Sequence, residues 1–139
     1  MLQPPAVVFR LRKHADYQRV YAASRKQFGK QMSYFFMLRP STDSHVAQPL
    51  NDPLAPRVGL TVGKVMGKAV DRNRIKRRMR EAVRRNLALL RLPVDVVLHP
   101  RRNVIDLDFA VLEREVATVF RAIQRSAEQL ALSAPPAEK

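Results

Sequence analysis

The 139-residue sequence contains no cysteine. That excludes a disulfide framework and thiolate metal sites, and it fits a reducing compartment. No apolar run approaches the roughly 18 residues that a membrane-spanning helix needs. The amino terminus, Met1-Leu-Gln-Pro-Pro-Ala-Val-Val-Phe-Arg10, has no basic stretch ahead of its short apolar patch, and Pro4-Pro5 breaks any helix. It does not read as a signal peptide, so a soluble, cytoplasmic protein is expected. The three histidines, His14, His45 and His99, lack metal-ligand spacing, and no nucleophile motif occurs. Neither a catalytic centre nor a metal bound by the protein alone is expected. Acids are scarce too, 12 against 26 Lys and Arg, for a net charge of +14. Such an excess opposes compaction by self-repulsion and is most readily explained by a nucleic-acid partner, with an anionic membrane surface second.

What is present concentrates in residues 72–85, Arg-Asn-Arg-Ile-Lys-Arg-Arg-Met-Arg-Glu-Ala-Val-Arg-Arg. Eight of these fourteen are basic and only Glu81 is acidic. Apolar residues interrupt the run at helical spacing: Ile75, Met79, Ala82, Val83, Leu87 and Leu90. One face can therefore bury while the rest stays charged. The wheel sets Arg74, Arg77, Arg78, Arg84 and Arg85 opposite that stripe. The run predicts a helix from about 72 to 90, capped by Asp71 and stopped by Pro93. Its bland reading is a solvated charged face, but the usual compensating acids are missing. Arginine outnumbers lysine, which suits forked contacts to phosphate. Ahead of it, Gly63-Lys-Val-Met-Gly-Lys68 brings two glycines and two lysines to a helix amino terminus, where anions are favoured. A nucleotide P-loop does not fit: the glycines are one residue too close, and Ala69 follows Lys68.

The remaining pattern predicts a short amphipathic helix over 14–24, a strand over 32–39, a strand over 57–63 and a strand over 94–98. A last helix follows Asp106 or Asp108, which read as caps rather than as an acid/base pair. Residues 40–56, with four prolines, read as a long flexible surface loop and a tolerated insertion. A single domain over 1–132 is expected, with a disordered tail over 133–139. The element order implies an α+β fold, a two-layer α/β sandwich with helices on a small sheet. The aromatic residues Tyr17, Tyr21, Phe28, Tyr34, Phe35 and Phe36 lie early in the chain. Most are expected in the core, but alternation puts Tyr34 and Phe36 on one face and Phe35 on the other, so one set could stack exposed bases.

Val70-Asp-Arg-Asn-Arg-Ile-Lys-Arg77, preceded by Arg57-Val-Gly-Leu-Thr-Val-Gly-Lys64, closely resembles the signature of the bacterial ribonuclease P protein subunit. Phe9-Arg-Leu-Arg-Lys13, Asp16-Tyr-Gln-Arg-Val-Tyr21, Val94-Asp-Val-Val-Leu98 and Asp106-Leu-Asp108 extend the resemblance over roughly residues 9–130. It implies a ribosomal-protein-like α/β sandwich, a small mixed sheet and an unusual left-handed βαβ crossover. It also implies a protein that assists a catalytic RNA, which, with Mg2+ bound mainly by the RNA, removes the 5′ leader of precursor tRNA. Carried over by position, Arg72, Asn73, Arg74, Lys76, Arg77 and Arg80 would contact that RNA. Tyr17, Tyr21 and Tyr34 would line a leader cleft, with Lys64 and Lys68 at its edge. Val65 and His99-Pro100 depart from the family pattern. No protein partner and no membrane are implied. The alternative is a ribosomal or other structural RNA-binding protein; a stand-alone nuclease or a membrane-surface protein is a third class.

Overall fold

A computed structural model describes residues 10–39 and 55–133, so residues 1–9, the segment 40–54 and the tail 134–139 lie outside the described residues. The elements are α1 (His14–Ala23), β1 (Gln27–Phe28), β2 (Met32–Leu38), β3 (Arg57–Leu60), α2 (Ala69–Asn86), β4 (Val94–Pro100) and α3 (Phe109–Ser133). The strands form one mixed sheet in the order β1-β2-β4-β3. β2 and β4 run antiparallel, from Met32 opposite Pro100 to Leu38 opposite Val94. β3 runs parallel to β4, from Arg57 beside Asp95 to Leu60 beside Leu98, so β3–α2–β4 is a parallel crossover unit. This is the expected α+β sandwich.

Alternation along the strands decides the layers. Met32, Tyr34, Phe36 and Leu38 of β2, with Val94, Val96 and Leu98 of β4, face α2 and α3 and make the main core with Ile75, Met79, Phe120 and Ile123. Phe35, Met37 and Val97 face the other way, where α1 lies across the sheet and adds Val20, Tyr17 and Tyr21, with Leu11 from the segment ahead of it. A buried ion cluster ties α1 to this face. Arg39 and Arg57 converge on the fully buried Asp95 of β4, at 2.6 and 2.7 Å, and Arg57 also reaches Asp16 of α1 at 3.7 Å. Arg39 further donates to the Ala55 carbonyl at 2.5 Å, drawing together the two chain ends that flank 40–54.

Several boundaries differ from expectation. α2 begins at Ala69, after Lys68, and the start is not capped by Asp71. The reason is Gly67, whose φ of 128° ends a 3-10 turn over Lys64–Met66 and launches the helix early. Asp71 instead sits in the first turn, where a carboxylate still favours the helix dipole. The helix closes at Asn86 and tightens into a 3-10 turn over Leu87–Leu89. Asp108 is the residue at the start of α3, accepting from the Ala110 N–H at 3.4 Å. Ser133, placed in the tail by the sequence reading, is the last helical residue of α3. β1 was not foreseen, because two residues carry no periodicity.

Candidate RNA-binding site

Rotation along α2 distributes its cations over three flanks. Arg72, Lys76 and Arg80 recur every four residues and so share one side. Arg72 folds back and donates to the Gly67 carbonyl at 3.2 Å, bracing the turn. Lys76 and Arg80 line a groove of about 130 Å3 with Arg10, Leu11, Tyr17, Gly59 and Val83. Burial, and next the charge of Arg10, pull the Arg80 guanidinium below its ordinary value. Such crowding of cations without a carboxylate is relieved by an anion.

The opposite flank is structural. Arg78 donates to the carbonyls of Val104, at 3.0 Å, and of Leu107, and its guanidinium lies 5.9 Å from the Phe109 ring. Arg74 is exposed but donates to the Ile105 carbonyl at 3.2 Å. Arg84 and Arg85 clasp Glu81, which holds its carboxyl down to about 2, and Arg85 also stacks on Phe109 at 4.9 Å. Arg78 therefore does not stand free opposite the apolar stripe, as the wheel implied, but turns onto the approach to α3; Arg85 is exposed, as the wheel implied, yet leans on α3 through Phe109. The outward flank holds Asn73 and Arg77, both exposed. Among the described residues, Lys76, Arg77 and Arg80 pair with no carboxylate. Lys64 and Lys68 are exposed on the turn that leads into α2, and neither lines the Tyr17 groove.

Across that groove lies the aromatic surface under α1. Tyr17 and Tyr21, one turn apart, point along the same side of the helix. Tyr17 passes directly over Gly59, whose missing side chain leaves room for the phenol, and it donates to the Leu60 carbonyl at 3.4 Å. Burial raises the Tyr17 phenol above its ordinary value. The Tyr21 hydroxyl lies 3.2 Å from Thr61 Oγ1 and 3.1 Å from His99 Nε2. Its ring meets Phe35 edge-on at 4.9 Å, and His99 lies 5.4 Å from Phe35. Tyr17, Tyr21, Phe35 and His99 thus form a half-buried aromatic floor beside a cationic wall, which can stack bases and hold phosphates at once.

A family model described as Ribonuclease P matches residues 7–124. The chain belongs to the ribonuclease P protein family. It is 32% identical over 112 residues to the ribonuclease P protein component of Finegoldia magna, covering 81% of this chain and 88% of that one. With the component from Chromohalobacter salexigens it shares 35% identity over 130 residues, 91% of each chain. The fold is that of solved ribonuclease P proteins. A Staphylococcus aureus RNase P protein mutant superposes with a TM-score of 0.66 at 24% identity, covering 84% of this chain and 88% of that one. The Thermotoga maritima protein superposes at 0.65 with 23% identity, covering 81% and 96%.

Of the residues the family resemblance carried over, the structure joins Lys76 and Arg80 to Tyr17, with Tyr21 one turn further on. It does not place Tyr34 in the cleft. Tyr34 is 8% exposed on the α2/α3 face, in the main core, where burial and then the charge of Glu115 raise its phenol. Phe35 takes its place, as strand alternation allows. The reading also missed Arg10, Thr61 and His99. A signal existed only for Phe35; the other three meet the cleft through the packing of distant segments.

Proposed function

We propose that this chain is the protein component of a bacterial ribonuclease P, and that its two surfaces divide the RNA between them. The outward side of α2, with Asn73 and Arg77, the exposed Arg74 at the border of the structural flank, and the turn lysines Lys64 and Lys68, holds the catalytic RNA. The α1 cleft takes the single-stranded 5′ leader of precursor tRNA, with Tyr17, Tyr21 and Phe35 stacking bases and Lys76 and Arg80 neutralising phosphates. The observation that carries this reading is the groove shared by Tyr17, Lys76 and Arg80, which brings two cations of α2 beside an aromatic side chain of α1.

Hydrolysis, and the Mg2+ it needs, are assigned to the RNA, and the protein to positioning. The basic residues suit that role: an arginine fixed on a helix places a phosphate without itself activating water. The cytoplasm is the expected location. A purely ribosomal or structural RNA-binding role is disfavoured by the family to which the chain belongs. Reconstitution with a bacterial ribonuclease P RNA at low magnesium tests the proposal. The protein should lower the magnesium requirement and tighten leader-bearing precursor relative to mature tRNA. If it does neither, the reading fails.

A further inference from the structure

His99 lies half-buried in the aromatic floor under α1, against Tyr21 and Phe35, yet neither the composition nor the family signature assigns it a role. It lies in β4 directly opposite Ser33 of β2. Its Nε2 is 3.1 Å from the Tyr21 hydroxyl, which is in turn 3.2 Å from Thr61 Oγ1. We propose that His99 contacts the RNA strand held in this cleft as an imidazolium, so that the protein takes up one proton when it takes up that strand. The proposal rests on the reading of the cleft given above and adds a proton-linked contact to it.

The hydrogen-bond chain permits both protonation states without moving a ring. When the imidazole is neutral at Nε2, the Tyr21 hydroxyl donates to it and accepts from Thr61. When Nε2 is protonated, it donates to the Tyr21 oxygen, and the phenol turns its hydrogen to Thr61. A hydroxyl is donor and acceptor at once, so no bond is lost in either state. Gaining a proton therefore costs no rearrangement of the aromatic floor.

The surroundings decide which state prevails. Tyr21 faces His99 from α1, and Phe35 and Ser33 from β2; Thr61, from the segment after β3, reaches it through the Tyr21 hydroxyl. The charged neighbour is the Lys26 ammonium, between α1 and β1. Burial first, and Lys26 second, hold the imidazole below its ordinary value. The free protein thus keeps His99 neutral near pH 7 and leaves the cleft short of one charge. A strand of phosphates reverses the balance, because an adjacent anion favours the charged form. The sign follows from linkage. The bound-state value lies above the free-state value, so affinity rises as pH falls through the bound-state value and levels off below the free-state value.

The test uses the full chain reconstituted with its catalytic RNA. Affinities for leader-bearing precursor and for mature tRNA are measured from pH 5.5 to 8 at fixed salt. Precursor affinity should rise several-fold as pH falls, by at most about tenfold per pH unit for a single proton. Mature tRNA should not show that excess. His99→Gln, which retains a hydrogen-bonding group toward Tyr21, should remove the excess slope. In parallel, the His99 ring is titrated by NMR in the free protein and with a single-stranded RNA oligomer of leader length; its midpoint should move up on binding. An identical slope in wild type and His99→Gln, or an unmoved midpoint, overturns the proposal while leaving the cleft reading standing. Equal affinity for precursor and mature tRNA at every pH overturns both.

Discussion

On the face of the sheet under α2 and α3, Met32, Val96, Leu98, Ile75, Phe120 and Ile123 are fully shut from solvent. On the face under α1, the buried apolar cluster among the described residues is Leu11, Val20 and Val97, and Tyr17, Tyr21, Phe35 and Met37 are half-covered around them. The same strands supply both faces. One is a dry core whose side chains are used up by packing. The other is held by a short helix, a buried ion cluster and a few hydroxyls, and leaves aromatic rings within reach of a ligand. The two-residue period of a strand thus puts neighbouring residues such as Tyr34 and Phe35 on different faces, and under the proposed function it separates stability from recognition.

The largest test of that separation is Phe120→Ala. Phe120 is fully buried between α3 and the sheet, so truncation should cost about 3–5 kcal/mol in urea denaturation. Phe35→Ala removes a similar ring from the open face and should cost only about 1–2 kcal/mol. Equal losses would mean that the α1 face is as much a core as the other.

Binding should show the reverse order. Tyr17→Ala should weaken leader-bearing precursor by about 1–3 kcal/mol and leave mature tRNA nearly unchanged. Tyr34→Phe, on the core face, should leave the preference for precursor intact. Comparable loss for both tRNAs on Tyr17→Ala would reduce Tyr17 to a packing residue. A loss of precursor preference on Tyr34→Phe would break the assignment of Tyr34 to the core alone.

The elements that the sequence disclosed are those with long periods. Ile75, Met79, Ala82 and Val83 marked the buried side of α2, and all four are buried. Alternation in β2 announced two faces but could not say which one would close. That depends on α3 arriving over Tyr34, and no local pattern carries such information. The helix start lies at Ala69 rather than at about residue 72 behind an Asp71 cap, because the positive φ of Gly67 outweighed a good cap residue. The floor of the cleft was the least legible part. Tyr21, Thr61 and His99 are 40 and 78 residues apart along the chain and meet only through the sheet. Charge was legible in amount and not in use: eight basic residues in 72–85 were plain, but which ones the fold consumes depends on partners in α3 and its approach.

That division of charge gives the finest test, on two adjacent arginines. Arg77 is exposed on the outward side of α2 and pairs with no carboxylate among the described residues, whereas Arg78 is turned onto the carbonyls of Val104 and Leu107. Arg77→Ala should leave folding stability within about 0.5 kcal/mol of wild type. It should reduce the magnitude of the slope of log K against log salt for the catalytic RNA by about one, as one phosphate contact is lost. Arg78→Ala should do the opposite, costing about 1–3 kcal/mol of stability through unpaired carbonyls and leaving the salt slope unchanged. If both variants change the slope equally, the flank against α3 also reaches RNA, and the boundary between structural and binding surfaces must be redrawn around α2.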